Sequence, residues 1–432
     1  MLGGHLRLGN VAVERGADTG VASPGYAAWV NAVWEGFYHY KPATAEQLEQ
    51  MLQSHQVDER VLTAVWDDSR PRDLVDPLVP VATYGTFAKT LNLGAAVVPA
   101  HLVTSVTVRP THRRRGILRE LMSADLSRAK DAGYPVAALT ASEAIIYGRF
   151  GFGRVTETQT LHLDVRGDVR FHAAATGSVV QLAPEKLAPI APAVFERFHA
   201  ARRGSVGRQE AYLRHATGAW GEEGPEPEPQ LRAAVYLDGS GDIQGYVTYV
   251  FGGWDPKPIT LKVRDLVAAT EVARREIFRF LASFDLIESV SCPFAAANDP
   301  LPWALEDPAR VRFSEREHGL WVRVLDVPAA FEAREYRGTG SFTLAVTDPM
   351  GLAAGRYGFD IREGRASVST LAEASPADAT CGVVALAPLL LGSVGTAELV
   401  AAGLLEPASP ARTGELAALL DIPGVPHAIN GF

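Results

Sequence analysis

Ser105-Val106-Thr107-Val108-Arg109-Pro110-Thr111-His112-Arg113-Arg114-Arg115-Gly116-Ile117-Leu118-Arg119 is the stretch from which the fold can be worked out. Its first half continues a β-branched run from Leu102 and stops at Pro110, which has no N–H to offer a ladder. Its second half opens a helical pattern after Gly116, where Leu118, Leu121, Met122, Leu126 and Ala129 recur at the period of one helix face. Val136–Thr140 returns as a strand, and strand, helix, strand in that order predict a parallel pair bridged by the helix. A helix start presents several amides without intrahelical partners at the positive end of the dipole, which suits a phosphate anion. Arg113, Arg114 and Arg115 set guanidinium forks beside those amides, and Gly116 lets the backbone come close. The plainer alternative is a solvated basic cap, in which three arginines would oppose the helix dipole.

Upstream, Trp29, Val33 and Phe37, then Leu48, Met51 and Leu52, have near-helical spacing on either side of Lys41-Pro42, which predicts two helices. Short apolar runs at 79–84 and 95–98 alternate with Asp, Pro and Gly clusters, as meandering strands do. Downstream the plan repeats in weaker form, with strands expected at 233–237, 244–251 and 262–267 and an amphipathic helix through 273–284. Its turn, 268–271, lacks the basic, glycine-containing sequence, and residues 222–230, with three prolines alternating with acids, predict a solvated loop. Beyond 320–325, alternating strands at 342–346 and 366–369 precede helical stretches rich in Ala and Leu. The expected partition is 1–165, 166–312 and 313–432, mixed α/β units each large enough for a core of its own.

With 41 Lys and Arg against 50 Asp and Glu, the formal charge of −9 argues against a broad phosphate-backbone footprint, so no nucleic acid partner is expected. Apolar residues at 47% and charged ones at 21% give the balance of a globular chain. Cys292 and Cys381 stand far apart, in the spacing of neither a disulfide framework nor a zinc site, and fit a reducing cytoplasm. No basic segment followed by an apolar stretch opens the chain and no long uncharged apolar run follows, so neither a signal peptide nor a membrane span is expected. His5, His39, His101 and His112 have no ligand spacing, and no metal is expected.

The turn resembles that of the GNAT acetyltransferases, which read Arg or Gln, two residues, Gly, one residue, then Gly or Ala. Arg113 and Gly116 match, and Leu118 departs. The longer run Ala141-Ser142-Glu143-Ala144-Ile145-Ile146-Tyr147-Gly148-Arg149-Phe150-Gly151-Phe152-Gly153 is similar to the Eis family, and the likeness spans essentially the whole chain. It implies two tandem GNAT-like domains, the second degenerate, a C-terminal domain like sterol carrier proteins, and assembly as a homohexamer. It implies acetyl-CoA as co-substrate, with the backbone of Val106, Thr107 and Val108 on the pantetheine arm. Arg114, Arg115, Gly116, Ile117, Leu118 and Arg119 would wrap the diphosphate, and Ser142 and Glu143 would line the channel.

Direct attack by an amine on a thioester needs an acid near the departing sulfur and a base for the amine proton, but no enzyme nucleophile. By the likeness Tyr147 is the acid and the terminal carboxylate, here on Phe432, is the base; the residues alone leave Tyr147 open as a core aromatic and the chain end as a frayed tail. A free strand edge beside the thioester would stabilise the oxyanion, with Val106 the first candidate donor. Trp34, Glu35, Phe37 and Tyr38 offer an aromatic wall and a negative contact for an aminoglycoside, a polyamine or a lysine side chain, or are core. Two other classes stay open: a carrier of apolar ligands, given the strongly apolar run Val383–Leu391, and a silent cofactor-binding scaffold.

Overall fold

The computed structural model describes residues 4–16, 20–141, 143–222, 224–255 and 257–432. Helix α1 (Pro24–Gly36) starts where the Ser23 hydroxyl accepts the Tyr26 amide and Pro24 fills the first turn, and it buries Tyr26, Trp29 and Val30. Helix α2 (Ala45–Val57) starts from a reciprocal Thr44–Gln47 capping box.

Among the described residues the strands form three sheets. The first contains β1 (Leu6–Val11), β2 (Val61–Asp67), β3 (Ala82–Asn92), β4 (Val97–Val108) and β5 (Val136–Thr140) in that order, then a strand from much later in the chain, then β6 (Gly153–Arg154). Helix α3 (Ile117–Asp131) crosses from β4 to β5, which pair in parallel, and it buries Ile117, Leu121, Met122, Leu126 and Ala129. Its one buried acid, Asp125, accepts from Tyr84 of β3 at 2.9 Å and bonds His101 of β4 at 2.8 Å, tying the helix to both strands. Burial alone would raise that carboxyl; the His101 contact and the Tyr84 bond outweigh it and leave the group below its ordinary value.

The second sheet contains β7 (Glu157–Asp164), β8 (Ser178–Leu182), β9 (Arg232–Leu237), β10 (Ile243–Phe251), β11 (Thr260–Ala268), β12 (Ser289–Ala296) and β13 (Val311–His318), ordered β13-β7-β12-β11-β10-β9-β8. The late strand of the first sheet is β14 (Leu320–Val324), inserted antiparallel between β5 and β6. A third sheet, ordered β17-β16-β15-β18-β19, is built from β15 (Gly340–Thr347), β16 (Gly355–Arg362), β17 (Arg365–Leu371), β18 (Ala379–Gly382) and β19 (Leu405–Pro407).

The sheets divide the chain differently from a linear partition at 165 and 312. β7 leaves the first unit to lie between β12 and β13, and β14 returns from the end of the second unit to complete the first sheet. The two crossings run side by side, joined by the Gly319 amide to the Thr156 carbonyl at 3.0 Å and the Val155 amide to the Leu320 carbonyl at 2.9 Å. Apolar periodicity identifies a strand but not its partner, so the exchange left no local mark. The third unit also shares a core with the first: Leu102, Ala138 and Val322 belong to one buried cluster with Phe359 and Leu390. Helix Val383–Leu391, buried except at Val384, is part of that cluster, so its apolar run is accounted for by packing. A Cβ on Gly153 would meet the Val384 carbonyl at 2.1 Å, and glycine there allows strand β6 and this helix to touch.

Candidate active site

The turn before α3 is held from beneath. His112 is buried, with Nε2 2.9 Å from Asp67 of β2 and Nδ1 2.8 Å from the Thr111 hydroxyl, and Arg113 Nε donates to the Val108 carbonyl at 3.2 Å. Arg114 at φ 62° and Gly116 at φ 81° turn the backbone through the left-handed region, a conformation glycine adopts without penalty. A Cβ at Gly116 would meet no protein atom within 4 Å, so glycine is required there by conformation. The Glu120 amide is the first to bond back, to the Gly116 carbonyl, and no side chain caps the helix. The amides of Ile117, Leu118 and Arg119 are therefore offered outward, beside the exposed side chains of Arg113, Arg114, Arg115 and Arg119.

Next to this turn the sheet opens. β4 and β5 pair only over Ala100–Leu102 and Val136–Ala138, and the facing edge of β4 from Val103 to Val108 has no partner on β5. The ladder to β3 is irregular at the same place, Ser105 lies at φ 54°, and Thr83 Oγ1 contacts the Ser105 carbonyl at 2.8 Å and Thr107 Oγ1 at 2.7 Å. Such a bulge turns the strand end away from its neighbour and opens a wedge between β4 and β5. Val106, Thr107 and Val108 lie on its β4 side, running toward the basic turn.

At the deep end of the wedge a cavity of about 430 Å³ is lined by Val106, Thr140, Ala141, Tyr147, Glu317 and Phe432, among others. Tyr147 stands on α4 (Ala144–Gly148), its ring edge-on to Phe152 at 6.3 Å. Burial, and then the Glu143 carboxylate, push its phenol above the ordinary value, so it stays protonated at neutral pH. Ser142 lies outside the described residues.

The chain end reaches this cavity from the third unit. Arg203 donates to the carbonyls of Pro423 and Gly424, His427 Nε2 donates to the Phe294 carbonyl at 2.7 Å, and Asn430 Nδ2 donates to the Val206 carbonyl at 2.8 Å. Gln209 and Tyr212 of the second unit both donate to the Gly431 carbonyl at 3.1 Å, and the Tyr212 hydroxyl accepts the Gly431 amide at 2.7 Å. Finally Thr140 Oγ1 donates to a terminal oxygen of Phe432 at 2.6 Å and accepts its amide at 3.0 Å, while the Phe432 ring packs edge-on against Phe87. Tyr147 and the terminal residue thus meet in one cavity; of the four α1-region residues, Phe37 lines it, Glu35 is paired with Arg109, Trp34 packs against α1's own core and Tyr38 is exposed. Thr140, Gln209 and Tyr212 carried no local signal, because their partners lie more than two hundred residues away.

The second unit repeats the wedge and loses the anion site. β11 and β12 pair in parallel only over Thr260–Lys262 and Ser289–Ser291, then part. Their helix α7 (Glu271–Leu281) is capped at its Ala273 amide by its own Thr270 hydroxyl and carries Glu271, paired with Arg202, in its first turn, so an incoming phosphate would find one amide taken and a carboxylate beside it. Neither cysteine is an available nucleophile: both are buried, and burial pushes each thiol up to about 12. Among the described residues no group of three or more His, Cys, Asp or Glu is arranged to hold a metal ion, and no helix is long and apolar enough to cross a membrane.

Two tandem mixed sheets, each splayed beside a crossover helix, with an amide-and-arginine turn on the first, define an acetyl-CoA-dependent acetyltransferase of the GNAT superfamily. Acetyltransferase (GNAT) domain families match residues 27–155 and 204–324, and a sterol carrier protein domain matches 327–428. An uncharacterized N-acetyltransferase of Streptomyces avermitilis is 35% identical over 424 residues, 95% of this chain and 97% of that one. The N-acetyltransferase Eis of Mycobacterium tuberculosis is 35% identical over 325 residues, 72% of this chain and 75% of its own. The crystal structure of Eis1 from Mycobacterium abscessus superposes with a TM-score of 0.77 at 26% identity, covering 94% and 96% of the two chains. The chain belongs to the Eis family of GNAT acetyltransferases.

Proposed function

We propose that the protein acetylates primary amines by direct attack in a ternary complex, with Val106 as oxyanion donor, Tyr147 as acid and the Phe432 carboxylate as base. The observation that carries this is the meeting of Tyr147 and the last residue of the chain in one cavity at the end of the wedge. Acetyl-CoA supplies the thioester carbonyl and the sulfur leaving group; the amides of 117–119 and the arginines from Arg114 to Arg119 would hold its phosphates. Val106, Thr107 and Val108 would run along its arm, and Glu143 and Ser142 would border it. Aminoglycosides, polyamines and lysine side chains are the acceptor classes to test first, and family likeness supports a homohexamer as the assembly.

The pKa values set what each group can do. Protonating a thiolate near 8.5 from even an ordinary phenol near about 10 is uphill by about 2 kcal/mol, and burial holds Tyr147 above the ordinary value, so it acts mainly by donating a hydrogen bond to the sulfur as charge develops. A carboxylate near about 3.5 cannot hold the proton of an ammonium near 10.4, a gap of about 7 units or about 9 kcal/mol; the ammonium loses its first proton to solvent to free the attacking lone pair, and the carboxylate takes the second proton late, after the new C–N bond has acidified the nitrogen. The test is Tyr147→Phe and, separately, a residue added after Phe432. Each should lower kcat by about 10²-fold with the KM for acetyl-CoA unchanged. Wild-type turnover in either variant removes the corresponding role.

A further inference from the structure

The second wedge keeps the backbone slot of the first. In the first, the Arg109 amide bonds the Val81 carbonyl beside β3, and because backbone groups alternate along a strand, Val106 and Val108 turn theirs to the opening. In the second, the Ala269 amide bonds the Gln244 carbonyl of β10, and Leu266 and Ala268 turn theirs to the opening in the same way. Each wedge strand is irregular just before that point, β4 between Thr104 and Thr107 and β11 between Val263 and Asp265. The ladder between β11 and β12 stops at Lys262 and Ser291, so no strand among the described residues pairs with Leu266 or Ala268 on that side.

A cavity of about 340 Å³ occupies this opening, lined by Leu266 and Ala268 of β11, by Cys292 and Ala295 of β12, and by Phe198. That volume is at the lower end of the roughly 300–1,000 Å³ of small-ligand sites. The chain end forms another wall: His427 and Ile429 line the cavity, and His427 is bonded to the Phe294 carbonyl. Every charged side chain among the described lining residues already faces an opposite charge, Arg202 with Glu271, Arg264 with Glu222, Arg274 with Asp299, and Asp265 with both arms of Arg208. A charged ligand would have to break one of these pairs or enter without a partner. A chain of neutral amides avoids both: it offers a donor and an acceptor to the free backbone groups of β11, as an added strand does, and lays its apolar links against Phe198 and Ile429.

We propose that the second wedge is a binding site, separate from the cavity of the transfer reaction, for an uncharged extended chain of secondary amides, a pantetheine-type arm or a peptide segment, paired to Leu266 and Ala268. The test is calorimetric titration of the full-length protein with pantetheine, N-acetyl-trialanine amide and 1-octanol, in the presence of excess coenzyme A to compete for the first wedge, followed by amide hydrogen exchange. Both amides should bind at least about tenfold more tightly than 1-octanol, a difference of about 1.4 kcal/mol. With either amide at about ten times its dissociation constant, exchange across residues 264–268 should slow about tenfold. Tighter binding of pantetheine supports the site with a cofactor-type arm as its source, and tighter binding of the peptide supports it with a peptide segment. Failure of both amides to bind, 1-octanol binding as tightly as they do, or slowed exchange confined to residues 103–108 of β4 overturns it. None of these outcomes depends on turnover, so an inactive enzyme would sink the acetyl-transfer reading and leave this site standing.

Discussion

Tyr212 is one of the residues on which the proposed catalytic role of the chain end depends, without being near the chemistry in sequence. Its hydroxyl both accepts from and donates to Gly431, and its ring packs under the Arg208 guanidinium, itself bidentate to Asp265. Removing the hydroxyl costs two hydrogen bonds at about 1 kcal/mol each, with Gln209 left to hold the Gly431 carbonyl. Tyr212→Phe should therefore lower kcat about tenfold while acetyl-CoA affinity, measured by calorimetry, stays as in the parent; a fall in affinity of the same size would point to a general loss of structure instead. Little of this was legible in the sequence. Tyr147 and Phe432 stood out only through likeness to a family, since a tyrosine in an apolar run and a terminal phenylalanine have no spacing that marks them. Thr140, Gln209 and Tyr212 act through backbone atoms brought close by the fold, and such contacts leave no pattern along the chain.

At the scale of elements, strand, turn and helix around 105–131 were legible because each is encoded locally, by β-branching, proline, glycine and a helical apolar period. The wedge was not, since its opening depends on where a parallel ladder stops. Gly116 gives this element its own test. Because the site has room for a methyl group, Gly116→Ala isolates the cost of the left-handed backbone, about 1–2 kcal/mol for an L-residue. If the turn keeps its shape, that cost appears in the thermal midpoint; if it relaxes, it appears as about tenfold weaker coenzyme A binding. Calorimetry alongside thermal melts reads both, and a variant unchanged in each would show that the left-handed turn does not matter.

Over the whole molecule, three units converge on one cavity: the first supplies the wedge and Tyr147, the second straps the tail, and the third supplies the tail itself. His427 makes that strap sensitive to acid. Burial pushes its ring down to about 4, with the Phe294 carbonyl and Glu271 opposing and Arg202 and Arg274 adding to the effect. A released ring takes up its proton near about 6.5. Between those values the detached state binds the extra proton, so docking is fully favoured above 6.5 and weakens as the pH falls toward 4. Turnover should show an acid limb in that window, which His427→Gln, keeping an N–H donor, removes; an identical limb in the variant assigns it elsewhere. The exchange of β7 and β14 between the first two sheets has a consequence for biosynthesis. A nascent chain halted near residue 165 still lacks the strand that belongs between β5 and β6, and carries β7 with no sheet to join. The N-terminal unit cannot finish ahead of its neighbour on the ribosome; both must wait until about residue 324 has emerged, exposing unpaired edges that chaperones are suited to cover.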